Sequence, residues 1–513
     1  MTMSKYKAAN KKYIYMNKKK VINNNQKFKN QYDSDDSDDS DGSISSDDVE
    51  SLEEEYLGYI INDQYIIIKY IGKGTFSKVW LIFDLIYEKF NIFKIYFGNN
   101  DKEEFETELK TLDIIKTNNI KNNLNYEGHL IHEFNINKKK QIGYILIMPY
   151  LGLSLADILD NVEHIPLKET KYIIKQILYS LQELHKHKYV HTDLKTDNIL
   201  TNIYLEKNTE YIKWFKKIDV CKQYNTILKN NSPSDEDMMK LNKNKRKLLK
   251  RKIKKRSIKE ISSFLKKKMN CYQIDLLNMD SIDFNKYLDN EKYQNTSTED
   301  TINLNNIIED IDLNIIDLNE ISKEQMNNNN IKVLETNEEY DIINTNFTLI
   351  DYSNAIHIDE IDNDDELQIR AYRSPENILG IKYNFQSELW AVGCILWDIL
   401  TRDYIFEPEL IGSFISRDIE QLSLMEKYLG RIPTDMSFEC KRFYELFDDS
   451  GKIKTHHKIN RTNLEKFLKE KRHDLKDEQI LEICTFLRKI WIYNPTNRFN
   501  MNQIINDEFL SSV

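Results

Sequence analysis

The residues most able to do chemistry together lie at 191–198, which read His-Thr-Asp-Leu-Lys-Thr-Asp-Asn. An aspartate at 193 can accept the proton of an attacking hydroxyl, and a lysine two residues later can neutralise charge on a transferring phosphoryl group. An asparagine at 198 can help to hold a magnesium ion against a nucleotide. Similar residues also occur in solvated loops after helices, so Asp193, Lys195 and Asn198 need support from the elements around them.

A turn that contains glycine lies between two apolar runs upstream of this loop. Residues 65–70 are rich in isoleucine, residues 72–80 read Gly-Lys-Gly-Thr-Phe-Ser-Lys-Val-Trp, and residues 81–83 are again apolar. This pattern predicts strand, turn and strand. Glycines at 72 and 74 would let the backbone close over a triphosphate, and Val79 would cover one face of an adenine ring. The residues predicted to bind nucleotide here are Ile71, Gly72, Gly74, Ser77 and Val79.

A lysine and a carboxylate follow at the spacing of an ion pair that orients phosphates. Lys94 lies in an alternating apolar strand at residues 90–96 and is expected to point inward, although a lysine on the surface of an edge strand is the commoner case. Residues 103–116 have helical periodicity, and Glu108 is better placed on this helix than Glu104 or Glu106. We predict that Glu108 pairs with Lys94 and orients it on the α and β phosphates.

Two further segments complete the predicted site. Residues 145–152 read Ile-Leu-Ile-Met-Pro-Tyr-Leu-Gly, which predicts a last strand and a hinge whose backbone meets adenine near Met148, Tyr150 and Leu151. Residues 347–350 form a short apolar run that ends at Asp351. Carboxylate oxygen is a hard ligand suited to magnesium, so Asp351 is the predicted main metal ligand and Asn198 its partner.

These elements, in this order, resemble the eukaryotic-type protein kinases of the CMGC group, and in detail the SR-protein kinases. The narrower resemblance rests on Thr192 in place of the usual catalytic-loop arginine, on Ser77 in place of a third glycine, and on a long spacer before Asp351. It also rests on three short motifs, which are Tyr-Arg-Ser at 372–374, Asp-Tyr-Ile-Phe-Glu-Pro at 403–408 and Ser-Arg-Asp at 416–418. The resemblance covers about residues 55–200 and 345–512.

The resemblance implies an α+β, bilobal protein-kinase fold, with a small β-rich lobe and a large, mostly helical lobe. It implies ATP and Mg²⁺ as cofactors and transfer of the γ-phosphate to serine or threonine hydroxyls of protein substrates. It also implies that Glu376 pairs with Arg498. The implied substrates are arginine/serine-rich proteins, which Glu409, Asp418 and Glu420 could attract by charge, although ordinary surface solvation explains those carboxylates equally well.

Several positions depart from the family pattern. Threonine at 192 cannot bind a phosphate on the activation segment, and residues 353–370 carry six acidic residues with no obvious basic partner for an added phosphate, so activity without activation-loop phosphorylation is expected. Ser353, Ile369 and Glu388 replace a glycine, a threonine and an aspartate. Loss of the threonine would loosen the positioning that supplies most of the rate. The alternative function is therefore a catalytically weak or inactive kinase-like scaffold that binds partners through its tail and spacer.

Composition divides the chain into four parts. Residues 1–55 are predicted to be a disordered tail, basic and then acidic, and residues 205–344 a low-complexity spacer insert. Residues 56–204 would hold the small lobe, the hinge and the first part of the large lobe, and residues 345–513 the remainder. The serines at 34, 37 and 40 either belong to a solubilising tail or accept phosphate from acid-directed kinases.

Charge and cysteine usage bound the cellular setting. The five cysteines are dispersed without a Cys-x-x-Cys pair, which predicts reduced thiols and neither a zinc site nor a disulfide framework. No apolar run is long enough to span a membrane, so a soluble protein of the cytoplasm and/or nucleus is expected. Lysine-dense residues 243–268 fit a nuclear-import signal, an RNA contact, a membrane-surface helix or a solvated helix face. Nucleic-acid binding is the weaker alternative because the net charge is −10, and no feature specifies an oligomeric state.

Overall fold

The computed structural model describes residues 56–98, 101–136, 139–278, 332–334, 342–362, 366–408, 414–455 and 458–511. The chain forms two compact units. Unit 1 comprises Met1–Phe105, Tyr126–Tyr150 and Trp214–Leu318, and unit 2 comprises Glu106–Asn125, Leu151–Lys213 and Asn319–Val513. The expectations for residues 1–55 and for the acidic half of the spacer lie outside the described residues, and the other predicted boundaries stay predictions.

Unit 1 is built on one antiparallel sheet of six strands in the order β1-β2-β3-β4-β6-β5. Isoleucine and aromatic side chains form its core, with Trp80, Phe93 and Ile145 almost fully buried. The alternating pattern predicted around Lys94 is wrong in one respect, because β4 is buried on both faces from Asn91 onward. The strands are β1 (Ile60–Ile61), β2 (Tyr65–Lys73), β3 (Ser77–Asp84), β4 (Lys89–Phe97), β5 (Gly128–Ile136) and β6 (Lys139–Pro149).

Unit 2 is mostly helical, and its short strands pair into two-stranded sheets. Those strands are β7 (Tyr189–Val190), β8 (Ile199–Leu200), β9 (Ile203–Leu205), β10 (Lys332–Leu334), β11 (Thr348–Leu349) and β12 (Ile356–His357). A sheet-based unit and a helical unit confirm the α+β kinase fold expected from the sequence. Within the described ranges, no helix is long and apolar enough to cross a membrane.

The helices follow the apolar periodicity of the sequence. The helix at Leu167–Lys186 has a buried apolar stripe that includes Ile173, Ile177 and Leu181. The helices are α1 (Lys102–Asn118), α2 (Leu155–Asn161), α3 (Leu167–Lys186), α4 (Glu206–Lys217), α5 (Val220–Asn231), α6 (Asp235–Met239), α7 (Lys243–Asn278), α8 (Pro375–Ile378), α9 (Phe385–Thr401), α10 (Phe414–Leu429), α11 (Thr434–Glu439), α12 (Phe443–Leu446), α13 (Leu464–Lys471), α14 (Asp477–Ile490) and α15 (Met501–Ile505).

Helix α9 is the central element of unit 2. Asn384 caps its first turn by accepting a hydrogen bond from the Gln386 amide, 2.9 Å away. A Cβ atom at Gly393 would lie 2.6 Å from the indole nitrogen of Trp491, so the two elements approach this closely only because the helix has glycine there. The resulting burial of almost the whole helix holds Glu388 and Asp398 at defined positions in the interior.

The first half of the spacer is helical and packs within unit 1. The Phe215 ring of α4 lies 5.4 Å from the Phe83 ring and 5.8 Å from the Phe90 ring, both on the sheet. Helices α5 and α7 are joined by a 3.0 Å hydrogen bond from the Asn231 amide to the Ser257 hydroxyl. The lysine-dense residues 243–268 therefore lie in a helix, α7.

Candidate active site

The catalytic-loop residues predicted from the sequence lie together in unit 2. Lys195 Nζ donates a hydrogen bond to Asp193 Oδ2 over 2.8 Å. Asn198 Nδ2 donates to the same oxygen over 2.9 Å and to the Asp193 carbonyl over 2.8 Å. The Asp193 carboxylate is therefore oriented by two donors, and the amide oxygen of Asn198 is the atom left to turn towards a cation.

Glu388 anchors the start of this loop from helix α9. Its Oε1 accepts hydrogen bonds from the backbone amides of His191, at 2.6 Å, and Thr192, at 2.8 Å. Its Oε2 accepts from His185 Nε2 at 2.6 Å, and the Glu388 side chain is fully buried. Although Glu388 departs from the family's aspartate, it holds this loop, because its longer side chain reaches both amides and a third donor in His185.

The segment that carries Asp351 is attached to the same loop. Strand β11 pairs with β8, and the Ile350 amide donates to the Asn198 carbonyl over 3.0 Å. His191 Nε2 donates to the Ile350 carbonyl over 2.8 Å. Asp351 has a left-handed backbone with φ of 62°, and Ser353 Oγ donates to its Oδ1 over 2.9 Å. The backbone next to Asp351 is thus held against the loop that carries Asn198.

Tyr352 was not singled out from the sequence, yet it links three elements of unit 2. Its hydroxyl donates to Asn123 Oδ1 over 2.8 Å, with the Leu349 carbonyl at 3.0 Å, and its ring is fully buried. Burial raises the pKa of this phenol above its ordinary value. The Tyr352 amide donates to Glu108 Oε1 over 3.3 Å. Glu108, the predicted glutamate, is fully buried on α1 and contacts the segment that carries Asp351.

The activation segment is held to the catalytic loop without a phosphate. Thr192 Oγ1, at the position of the missing arginine, donates to the Asn354 carbonyl over 2.7 Å. Strand β12 pairs antiparallel with β7, with Ile356 opposite Val190. These contacts fix the start of the segment through backbone and hydroxyl bonds.

Two acidic residues of this segment have basic partners. Lys110 of α1 lies 3.2 Å from Glu360, and Lys188 lies 3.2 Å from Asp359. The partners are distant in the chain, which is why the sequence did not reveal them. All four side chains are more than half exposed, so each pair contributes little by itself.

Buried polar contacts organise the rest of the segment. Arg498 makes two hydrogen bonds to Glu376, at 2.9 and 3.1 Å, with both side chains fully buried, which confirms the predicted pair. Asp398 accepts from the Tyr372 hydroxyl over 2.8 Å. Burial raises the pKa of the Asp398 carboxyl to about 6, against the lowering effect of hydrogen bonds from Tyr372 and Thr196.

Asp418 is not available to attract a basic substrate. Its Oδ1 accepts from Arg370 over 2.5 Å and its Oδ2 from Arg442 over 2.7 Å, and the residue is almost fully buried. Glu420 is half-buried, and Glu409 lies outside the described residues. The suggested role of Asp418 in substrate attraction is therefore wrong, and the residue is a structural ion-pair partner.

Unit 1 gathers the predicted nucleotide-binding residues on its sheet. Gly72 pairs with Val79, Val79 with Lys94, and Lys94 with Leu146, so one row crosses four strands. Lys94 is buried, with its Nζ 5.5 Å from the centre of the Tyr96 ring. Lys94 therefore lies on β4, directly next to β3, the strand that follows the glycine turn.

The remaining predicted residues of unit 1 lie at the glycine turn and at the end of β6. The Gly74 amide closes the turn by donating to the Ser77 carbonyl over 2.8 Å, while Ile71 is about half exposed at its edge. Met148 is buried next to Ile92, and Tyr150 is half-buried after the strand ends. Leu151, the last predicted hinge residue, is the first residue of this segment in unit 2.

Comparison with known proteins shows similarity to protein kinases. Residues 65–219 match the protein kinase domain family. The chain is 27% identical over 98% of its length to L205 of Acanthamoeba polyphaga mimivirus, which is provisionally named a serine/threonine-protein kinase, and covers 97% of that protein. It is 22% identical over 88% of its length to protein kinase dsk1 of Schizosaccharomyces pombe, with 81% of that protein covered. It is 23% identical over 89% of its length to SRSF protein kinase 3 of Mus musculus, with 88% covered.

Proposed function

We propose that this chain is a serine/threonine protein kinase similar to the SR-protein kinases, and that it transfers the γ-phosphate of ATP to serine or threonine hydroxyls of protein substrates. The observation that carries this proposal is the hydrogen-bonded set of Asp193, Lys195 and Asn198, on a loop whose backbone amides are held by buried Glu388. Such preorganisation is what phosphoryl transfer requires, because most of its catalysis is positioning and charge stabilisation.

Each side chain has a proposed part in this reaction. Asp193 accepts the proton of the substrate hydroxyl, and Lys195 stabilises charge on the phosphoryl oxygens. Lys94 binds the α and β phosphates with Glu108 as its partner carboxylate, a pairing that stays a prediction. The nucleotide is proposed to contact Ile71, Gly72, Gly74, Ser77 and Val79, together with Met148, Tyr150 and Leu151 at the hinge.

The chemistry of the donor set fits magnesium. The Asp351 carboxylate and the Asn198 amide oxygen are hard oxygen donors, and magnesium usually completes its shell with water and phosphate oxygens. Within the described residues, no three histidine, cysteine, aspartate or glutamate side chains form a metal-binding group. When bound, the ion would neutralise negative charge on the phosphates, and this chain would contribute the two oxygen ligands and the loop that holds them.

The proposal is tested by radiolabelled phosphate transfer with purified protein, ATP and magnesium. Asp193→Asn should lower the rate by at least about two orders of magnitude. Asp449→Asn, which changes an exposed aspartate outside the site, should leave the rate unchanged. Both variants should melt near the temperature of the native protein. Equal rates for native protein and Asp193→Asn would refute the assignment.

We also propose that activity does not depend on phosphorylation of the activation segment. The support is the Thr192 bond to Asn354, the β12–β7 pairing and the ion pairs that use Glu360 and Asp359. Between residues 353 and 370, the only hydroxyl side chain in the sequence is Ser353. Phosphatase-treated and untreated protein should therefore have equal rates, and a large drop in the treated sample would contradict the proposal.

The proposed substrates are proteins rich in arginine and serine. We propose that the protein acts on them inside the cell, in the cytoplasm and/or the nucleus. The support is the similarity to SRSF protein kinase 3 and the sequence motifs shared with SR-protein kinases. A peptide array that contrasts Arg-Ser repeats, Ser-Pro motifs and serines flanked by acidic residues tests this choice. Preference for Ser-Pro or acidic peptides would reject the substrate class while leaving the kinase activity intact.

A catalytically weak or inactive scaffold is the second candidate, and one observation favours it. Ser353 Oγ donates a hydrogen bond to Asp351 Oδ1, one of the oxygens proposed to bind magnesium. The glycine that usually occupies this position makes no such bond. If the bond keeps the Asp351 carboxylate from binding magnesium, Ser353→Gly should raise the phosphate-transfer rate. No phosphate transfer by either protein would favour the scaffold.

A further inference from the structure

Helix α7 presents a strongly basic surface on unit 1. Between residues 243 and 268 it carries fourteen lysines and arginines and a single acidic residue, Glu260. Eleven of these basic side chains are exposed. We call this set the basic face, and it comprises Lys243, Lys245, Lys247, Lys250, Arg251, Lys252, Lys254, Lys255, Arg256, Lys259 and Lys267. Lys254 pairs with Asp63 and Arg256 with Glu260. In the sequence of residues 243–268, fourteen basic side chains stand against one carboxylate, so the stretch carries a large net positive charge.

The C-terminal half of this helix lies directly against the first described residues of the chain. A Cβ atom at Gly58 would lie 2.8 Å from the Ser262 carbonyl oxygen and 3.0 Å from the Lys266 amide. Tyr56 is buried in the core of the sheet. The polypeptide that precedes Tyr56 therefore joins unit 1 beside α7.

The segment that enters at this point is the most acidic in the protein. Residues 33–55 contain twelve aspartates and glutamates and no lysine or arginine, in a run that ends with three consecutive glutamates directly before Tyr56. We propose that residues 33–55 dock in cis on the basic face of α7. The two surfaces have opposite charge of nearly equal size, and covalent connection brings one to the other.

The reach of the segment is sufficient. From Ser262 back to Lys243 the helix extends about 30 Å, at about 1.5 Å per residue. The twenty-three residues of the acidic segment span up to about 75 Å when extended. The segment can therefore follow the whole basic face and retain slack.

The cis arrangement also explains why a weak interaction would suffice. Tethering through a short connection gives an effective concentration in the millimolar range, so charge attraction alone can keep the face occupied. Phosphorylation of Ser34, Ser37 and Ser40 would add a charge of about −5 and strengthen docking. An occupied face cannot bind other polyanions, so nucleic-acid binding by α7 would be suppressed in the native chain.

Two full-length variants and a control test the docking. The first variant replaces the twelve carboxylates of residues 33–55 by their amides. The second carries Arg251→Glu, Lys255→Glu and Lys259→Glu, which lie one turn apart on α7. The control carries Lys382→Glu, Lys458→Glu and Lys466→Glu, which change the same charge at exposed lysines of unit 2. Melting temperatures establish that each protein is folded.

The first measurement is zero-length carbodiimide crosslinking with peptide mapping. Native and control proteins should give crosslinks between residues 33–55 and lysines of the basic face. These crosslinks should disappear at about 1 M salt, because the Debye length is then about 3 Å and charge attraction is screened beyond that distance. Crosslinks from the face to the acidic residues 299–320 instead would identify the other half of the spacer as occupant and overturn the proposal.

The second measurement is binding of a fluorescent single-stranded RNA. The amide variant should bind at least about tenfold more tightly than native protein, because the face is then open to phosphates. Adding the three glutamate substitutions to that variant should remove the gain, while adding the three control substitutions should not. Equal and tight RNA binding by native protein and amide variant would show that the tail does not occupy the face, and would assign it to nucleic acid.

Discussion

Replacing Glu388 tests whether one buried carboxylate positions the catalytic loop. Its Oε1 accepts from two consecutive backbone amides, those of His191 and Thr192, and its Oε2 accepts from His185. In Glu388→Ala these amides would be left without an acceptor in a site that excludes water. In Glu388→Gln one oxygen can still accept from both amides, but the charge is lost. The two variants therefore separate the contribution of charge from that of geometry.

The magnitudes follow from the number of bonds. A hydrogen bond to a charged group contributes about 1.5–3 kcal/mol, so losing the two amide bonds should cost Glu388→Ala about 4 kcal/mol of unfolding free energy. Neutral bonds are worth about half as much, so Glu388→Gln should lose about 2 kcal/mol. A loop displaced by about 1 Å can lower the rate about 100-fold, so the alanine variant should be nearly inactive and the glutamine variant intermediate.

Hydrogen exchange at the two amides is the most direct assay, because it does not depend on activity. In Glu388→Ala the His191 and Thr192 amides should exchange at least about 100-fold faster than in native protein, which corresponds to about 3 kcal/mol of lost protection. Glu439→Ala, a change at an exposed glutamate of α11, is the matched control. Native exchange, stability and rate in Glu388→Ala would refute the reasoning.

Three further substitutions test other parts of unit 2. Gly152→Ala should destabilise the protein by about 3 kcal/mol in denaturant unfolding, because its Cβ would lie 1.8 Å from the Ile203 carbonyl oxygen, and native stability would contradict the close approach. Tyr352→Phe should cost about 1–2 kcal/mol through loss of its buried hydroxyl bonds, whereas Tyr444→Phe at an exposed ring should cost nothing. Because burial raises the pKa of Asp398 from 3.8 to about 6, its ionisation destabilises the folded state as the pH rises through that range. Asp398→Asn should therefore gain up to about 3 kcal/mol relative to native protein between pH 4 and pH 7, and a difference independent of pH would reject the raised pKa.

Local sequence was sufficient to predict the secondary-structure elements around the site and most of the candidate site residues. The glycine turn was predicted from the apolar runs on either side of it. The strand around Lys94 and the helix around Glu108 were predicted from apolar residues that recur every two and every 3.6 positions, since those periods follow directly from backbone geometry. Asp193, Lys195 and Asn198 lie within six residues of one another, so they were found as one group from the sequence alone. In unit 2 they are joined by hydrogen bonds.

Contacts between distant parts of the chain required the tertiary structure. The basic partners of Glu360 and Asp359 were missed, because they lie 250 and 171 positions away. Glu388 was seen from the sequence only as a departure from the usual aspartate, because the sequence does not show that His185 and two amides converge on it.

The residue types by themselves determined which chemistry the chain can perform, because proton acceptance, phosphate binding and magnesium binding each need particular functional groups. Only the packed structure decided which of those groups are held, buried or exposed. Asp418 has the same carboxylate as any surface aspartate, but two arginines enclose it. Burial and long-range hydrogen bonds depend on the three-dimensional arrangement of the whole unit, and local sequence patterns carry little information about that arrangement.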